Sequence, residues 1–269
     1  MMRLSIITIN FNDASGLKKT LDSIAVQTFT DYEQIIIDGE STDTSVDIIE
    51  QFANATLPNG EGLGERFYWV SEKDNGVYHA QNKGILKATG EYCLFLNAGD
   101  YFVNETVLER VFSQDLQSDI IYGNLVVLFD GKIVGKSLGK SHATFLDIYS
   151  SIIKHQASFI KRSLFEKYGL YDENLKIVAD WAFFFKTVGF NDVSLQYVDI
   201  DIACFDNNGI SNNNSELCKI ERQNVLNQYM PLRMQEDYLL LLKYRGIRNI
   251  DKSKLGWLLF RILAKLYKK

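Results

Sequence analysis

Proline is nearly absent: Pro58 and Pro231 are the two in 269 residues. No proline-rich linker therefore divides the chain. The three cysteines, Cys93, Cys204 and Cys218, lack any CxxC spacing, which argues against both a zinc site and a disulfide framework. Cys93 and Cys204 fall inside apolar runs and are expected as buried thiols in a reducing, cytoplasmic setting. No stretch reaches the length of a membrane-spanning helix, and the opening run Leu4 to Ile9 is too short for a signal peptide. No GxGxxG follows the first predicted strand, and no Walker A loop, HExxH pair or Ser/His/Asp order appears. Chemistry in this chain must come from carboxylates, amides and any metal they hold.

Acid is in excess, but unevenly. Residues 243–269 carry nine Lys/Arg and one acid, Asp251, while the remaining 242 carry 20 basic and 33 acidic groups. An acidic body argues against a nucleic-acid partner. The basic tail suits an acidic surface elsewhere. From Lys254 on, Leu255, Leu258, Leu259, Ile262, Leu263 and Leu266 follow helical spacing, with Lys254, Arg261, Lys265 and Lys268 on the other side. Two readings stay open: a helix lying in the inner face of a membrane, or one packed on protein.

The apolar share of 46% is enough for a large core. Strands are predicted at Leu4–Ile9, Tyr32–Ile37, Arg66–Ser71 and from Tyr92. Helices at Leu17–Ala25 (capped by Ser15), Thr44–Phe52 and Val77–Lys87 alternate with them. Such alternation predicts an α/β fold with a mostly parallel, Rossmann-like central sheet. After Tyr101 the order loosens. A short helix at Thr106–Phe112 precedes a hairpin of Ile120–Phe129 and Ile133–Lys136 about Asp130-Gly131. A strand at Gln156–Ile160, a helix at Ser163–Tyr168 and an apolar helix at Trp181–Val188 behind Asp180 follow. Two short strands, Val193–Val198 and Ile200–Phe205, close this part. The asparagine-rich stretch 206–214 reads as a mobile loop able to act as a lid. Helices at Glu216–Gln228 and Arg233–Tyr244 come last.

Three predicted strands end in acidic clusters, at Asp38, Asp74 and Asp100. Strand ends in a parallel sheet lie together, where open α/β sheets bind ligands. Three carboxylates there repel one another unless a cation or hydrogen-bond donors sit among them. Each Asp also has a plain reading: a turn residue before Gly39 for Asp38, a residue stabilising the turn made by Gly99 for Asp100, a turn at Asp74-Asn75-Gly76, and a helix cap for Asp180.

Ordered segments carry a family resemblance. They are Ser5-Ile6-Ile7-Thr8-Ile9-Asn10-Phe11-Asn12, Ile36-Ile37-Asp38-Gly39-Glu40-Ser41-Thr42-Asp43, the run from Ser71 to Gly84, and Ala88-Thr89-Gly90-Glu91 with Phe95-Leu96-Asn97-Ala98-Gly99-Asp100. His155-Gln156-Ala157-Ser158-Phe159 and Ala179-Asp180-Trp181 extend the pattern. Together they resemble the family 2 glycosyltransferases, most closely those of capsule, O-antigen and colanic-acid-type polysaccharide assembly. The resemblance implies a GT-A fold over residues 1–210, with a donor half of about 1–102, a mixed acceptor half of about 103–210, and a C-terminal helical region over 211–269.

It also implies an inverting transfer of sugar from a nucleotide-sugar donor to an acceptor hydroxyl, as on a lipid-linked glycan. Asp100 would hold Mn²⁺ or Mg²⁺. Asn97, which stands where the family has an earlier carboxylate, would hydrogen-bond the donor's ribose but supplies one negative charge fewer. Asp38 and Asp74 would contact the nucleotide, Thr8 with the backbone of Ile9 and Asn10 would line the base pocket, and Asp180 would be the general base. Lys83 reads as a solvated helix lysine, and His155 as a structural histidine or one that positions the acceptor or phosphate. The rival reading is a nucleotide-sugar-binding scaffold without turnover.

Overall fold

The structure, a computed structural model, describes residues 2–54, 64–206, 214–243 and 261. It divides into two units, Met1–Arg222 and Gln223–Lys269. The loop residues 207–213 and, apart from Arg261, the basic tail from 244 lie outside the described residues.

In the first unit, β1 (Leu4–Asn10), β2 (Tyr32–Asp38), β3 (Phe67–Ser71) and β4 (Tyr92–Phe95) stand in the order β3-β2-β1-β4, all parallel. Every position of β1, β2 and β4 is buried, as a parallel strand covered on both faces requires. Helices α1 (Ala14–Ala25), α2 (Ser45–Ala53) and α3 (Val77–Lys87) make the crossovers. Helix α1 starts earlier than its apolar spacing suggested, because Asp13 rather than Ser15 caps it, accepting from Gly16 N at 2.9 Å. Helix α3 can lie tight against β1 because Gly84 faces Ile7: a Cβ there would stand 2.4 Å from Ile7 Cγ2.

The second half of the sheet is mixed. β8 (Ser158–Lys161) runs antiparallel to β4, and β6 (Ile120–Phe129) antiparallel to β8. β9 (Leu195–Asp206) runs parallel to β6, while β5 (Tyr101–Phe102) and β7 (Lys132–Ser137) add antiparallel pairs. The two short strands expected at 193–205 are one twelve-residue strand. Its register against β6 shifts beside Gly123, and Asn124 Nδ2 reaches Asp199 Oδ1 at 3.1 Å. The polar Asp199 that suggested a break is held in this irregularity. Leu94, Phe102, Phe159 and Ile202 belong to one buried cluster that runs across both halves. Each such side chain contributes roughly 1.5–3 kcal/mol on burial.

Helices α4 (Val107–Phe112), α5 (Phe145–Tyr149), α6 (Arg162–Tyr168) and α7 (Ala179–Asn191) complete this unit with the start of α8 (Ser215–Tyr229). The division between units falls inside α8. In the second unit, Gln235 of α9 (Leu232–Lys243) accepts from Gln223 Nε2 and donates to Met230 O, tying the two helices together. Among the described residues, no helix is long and apolar enough to cross a membrane.

Candidate active site

The ends of β1, β2 and β4 do lie together. Asn10 pairs with Asp38 in register, Gly39 N donates to Asn10 O, and Ala98 N donates to Ile9 O. Asp74 joins them: its Oδ2 stands 2.6 Å from where a Cβ on Gly39 would be.

The three carboxylates solve their mutual repulsion differently. Asp38 is fully buried and accepts from Asn10 Nδ2 (2.7 Å), Ser41 N (2.9 Å), Ser41 Oγ (2.6 Å) and Ser71 Oγ (2.7 Å). Four donors match the lone-pair capacity of a carboxylate. Burial pushes its pKa up, but these bonds outweigh burial and leave it lowered. In this arrangement Asp38 locks the ends of β1, β2 and β3 and has no lone pair left over for a base. Asp74 accepts from Gly76 N at 2.8 Å, the turn bond that its spacing suggested, and remains partly exposed.

Asp100 is different. It is 5% exposed, and among the described residues no side-chain donor reaches its carboxylate. Burial pushes it up to about 7, with the charge of His155 and the Asn97 backbone pulling the other way. A buried carboxylate held by a backbone N–H alone is costly unless a cation compensates it. The donor set thus fits a hard divalent cation that also takes oxygens from a bound diphosphate. Among the described residues, no group of three or more His, Cys, Asp or Glu is placed to hold a metal unaided. Asn97 beside it accepts from Gln81 Nε2 at 3.1 Å. Thr8 is fully buried with its hydroxyl unpartnered, and Asn10 Oδ1 also lacks a partner.

Asp180 reaches the same rim from the other half. It is not a helix cap: Val178 holds that position, and Asp180 lies in the first turn of α7. Tyr78 OH, on α3 just after Asp74, donates to Ile177 O at 2.6 Å and to Asp180 Oδ1 at 3.1 Å. His155 Nδ1 is 2.8 Å from Asp180 Oδ2. Burial raises the Asp180 pKa, but the charge and hydrogen bond of His155, the Trp181 N–H and the Tyr78 hydroxyl outweigh it, so the carboxyl stays below its usual range.

Three placements go beyond the sequence reading. His155 is not a satisfied structural histidine: it stands between Asp180 and the field of Asp100, and its buried Nε2 has no partner. Glu221 of α8, 5% exposed, accepts from the backbone N–H groups of Lys176 (2.7 Å), Ile177 (3.0 Å) and Val178 (3.3 Å). It fixes the turn that delivers Asp180, and nothing in a helical glutamate's sequence context announces this. Lys83 is not freely solvated, since it pairs with Glu72 at 2.9 Å and donates to Lys73 O. An open, polar hollow of about 560 Å³, lined in part by Ser163, Lys167, Asn191 and Asp192, shares none of these residues.

The model of glycosyl transferase family 2 matches residues 5–169, more than half of the chain. The chain belongs to that family. It is a glycosyltransferase with the GT-A fold. It is 34% identical over 212 residues to a PGL/p-HBAD biosynthesis glycosyltransferase of Mycobacterium tuberculosis, covering 77% of this chain and 78% of the relative. A poly(ribitol-phosphate) beta-glucosyltransferase of Bacillus spizizenii is 33% identical over 56% of this chain and 23% of its own length. Among solved structures, S. aureus TarS 1-349 in complex with UDP-GlcNAc superposes with a TM-score of 0.65, at 19% identity, over 88% of this glycosyltransferase and 70% of TarS 1-349. The mannosyltransferase PcManGT of Pyrobaculum calidifontis, in complex with GDP-Man and Mn²⁺, gives 0.55 at 17% identity, over 76% of this glycosyltransferase and 56% of PcManGT.

Proposed function

We propose that this glycosyltransferase transfers a sugar, with inversion, from a nucleotide-sugar donor to a hydroxyl of a surface-glycan acceptor, and that a divalent cation serves the reaction. The observation that carries the reading is the placement of Asp180. Its carboxylate is fixed by Tyr78 and His155 on the rim, with Asp100 in the electrostatic reach of the same histidine.

Asp180 accepts the proton of the acceptor hydroxyl as that oxygen bonds to the anomeric carbon. The bond from that carbon to the diphosphate breaks, and one base with in-line attack inverts the centre. The lowered pKa of Asp180 keeps it ionised, ready to receive a proton, at neutral pH. Tyr78 and His155 hold the carboxylate in the attacking geometry, and Glu221 holds the turn before it. Asp100 and Asn97 sit where the diphosphate end of the donor would lie. A cation on Asp100 would supply charge neutralisation for the leaving group. Thr8, Ile9 and Asn10 with Asp74 would frame the nucleoside, while Asp38 shapes that frame from within. The relative named for poly(ribitol-phosphate) supports a polymeric polyol-type acceptor. A lipid-linked acceptor and peripheral membrane docking through the basic tail remain part of the proposal on the strength of sequence pattern.

The deciding experiment screens nucleotide sugars with and without Mn²⁺, reading donor binding calorimetrically and turnover as nucleotide release. Wild type is expected to bind and turn over one donor, and Asp180→Asn to bind it without turnover. Equal turnover in Asp180→Asn overturns the role of Asp180. Binding without turnover in the wild type would indicate a scaffold.

A further inference from the structure

Two cations beside Asp180 have no use in the chemistry described so far. Lys154 directly precedes His155. It is half-buried, and both Asp180 and the Arg222 guanidinium act on it electrostatically. Arg222 of α8 stacks its guanidinium 4.1 Å from the ring centroid of Trp181, the residue after Asp180, and donates to Tyr149 O at 2.7 Å. Among the described residues, neither cation has a carboxylate at salt-bridge distance. Glu221, next to Arg222 in the chain, spends its carboxylate on three backbone N–H groups instead.

Burial and the repulsion of Arg222 hold Lys154 below the ordinary lysine range, and burial does the same to Arg222. Asp180 is the acid that acts on both, and Tyr78 and His155 already engage it. The cluster therefore carries more positive than negative charge in a partly dehydrated place. Like charges kept there cost stability unless an anion arrives. Arginine offers five N–H donors in a planar fork, of which the described partners take few, and lysine adds a point charge.

We infer that Lys154 and Arg222 form a subsite for a phosphoryl oxyanion next to Asp180. The inference rests on the catalytic reading of Asp180. The phosphoryl group belongs either to the donor's diphosphate or to a phosphate carried by the acceptor. Its arrival neutralises the positive field on Asp180. The base then becomes more basic when the substrate is in place.

The test uses the full chain and calorimetry. UDP and GDP are titrated first, with uridine and guanosine beside them, which tests the donor reading by itself. Inorganic phosphate is then titrated into the free and the nucleotide-saturated protein, for wild type, Lys154→Gln and Arg222→Gln, with thermal unfolding of each. Lys154→Gln is expected to keep the unfolding temperature and weaken oxyanion binding about tenfold, the loss of one charge-assisted hydrogen bond.

Phosphate binding that survives nucleotide saturation and weakens in Lys154→Gln assigns the subsite to the acceptor. Phosphate displaced by nucleotide, with weakened affinity for the diphosphate but not the nucleoside, assigns it to the donor. Unchanged phosphate and diphosphate affinities in a folded Lys154→Gln overturn the subsite. So does an Arg222→Gln that loses only stability while Lys154→Gln changes nothing. If no nucleotide binds wild type, the donor reading fails, and the phosphate titration still decides the subsite.

Discussion

The parallel part of the sheet places its carboxylates through strand ends, and the mixed part through side chains reaching across long stretches of sequence. Asp38 and Asp100 arrive at the rim because β2 and β4 flank β1 in parallel register. Asp180 arrives because Tyr78, His155 and Glu221, from three other segments, hold it and the turn before it. The comparison extends to carboxylates of opposite character. Asp100 is buried without side-chain donors and pushed up to about 7. Asp147 of α5 is buried too, but Lys140 and both the N–H and hydroxyl of Thr144 overcome burial and take it down to about 2. One is left buried with little compensation, and the other is tied into the local structure by its partners.

The sharpest way to break this comparison is Asp180→Asn. Loss of a positioned general base is expected to lower the transfer rate by roughly 10²–10⁴-fold with donor affinity retained. Steady-state turnover and calorimetry check it.

Next in size is Asp100→Asn in metal-free protein. A raised folded pKa means that stability is full below the unfolded value of 3.8 and is lost as pH rises to about 7. At about 1.4 kcal/mol per pH unit, the asparagine variant should be more stable than wild type at pH 8 by up to roughly 4 kcal/mol. The gain should vanish near pH 4. Mn²⁺ should stabilise wild type and not the variant. Denaturant titrations across pH read both effects.

Asp147→Asn should have the opposite sign. A lowered folded pKa gives stability that is present above the unfolded value of 3.8 and is lost as pH falls to about 2. Removing it is expected to cost about 2 kcal/mol at pH 7 and little at pH 2. Equal slopes for Asp100 and Asp147 would collapse the distinction drawn here.

The smallest effect concerns packing of α3 on β1. Gly84→Ala drives a Cβ into Ile7 and should cost about 1–2 kcal/mol in unfolding experiments.

The alternation of buried strands with amphipathic helices up to Asp100 was legible because each element there is specified by its own period. Helix α3 has the expected bounds, Val77–Lys87. The short pieces after Asp100 were not. β5 has two residues and α5 five, too few for any period to show. β9 was read as two strands because a polar Asp199 interrupts it, and only its pairing with β6 makes it one.

Sequence by itself determined the parallel sheet and which residues end its strands, since hydrophobic period and turn residues are local properties. Tertiary structure alone decided what surrounds each carboxylate. Asp38 found four donors, Asp100 found none among side chains, and Asp180 found a histidine 25 residues before it. The energy of a charge depends on what surrounds it in space, and those partners come from segments that no local pattern connects.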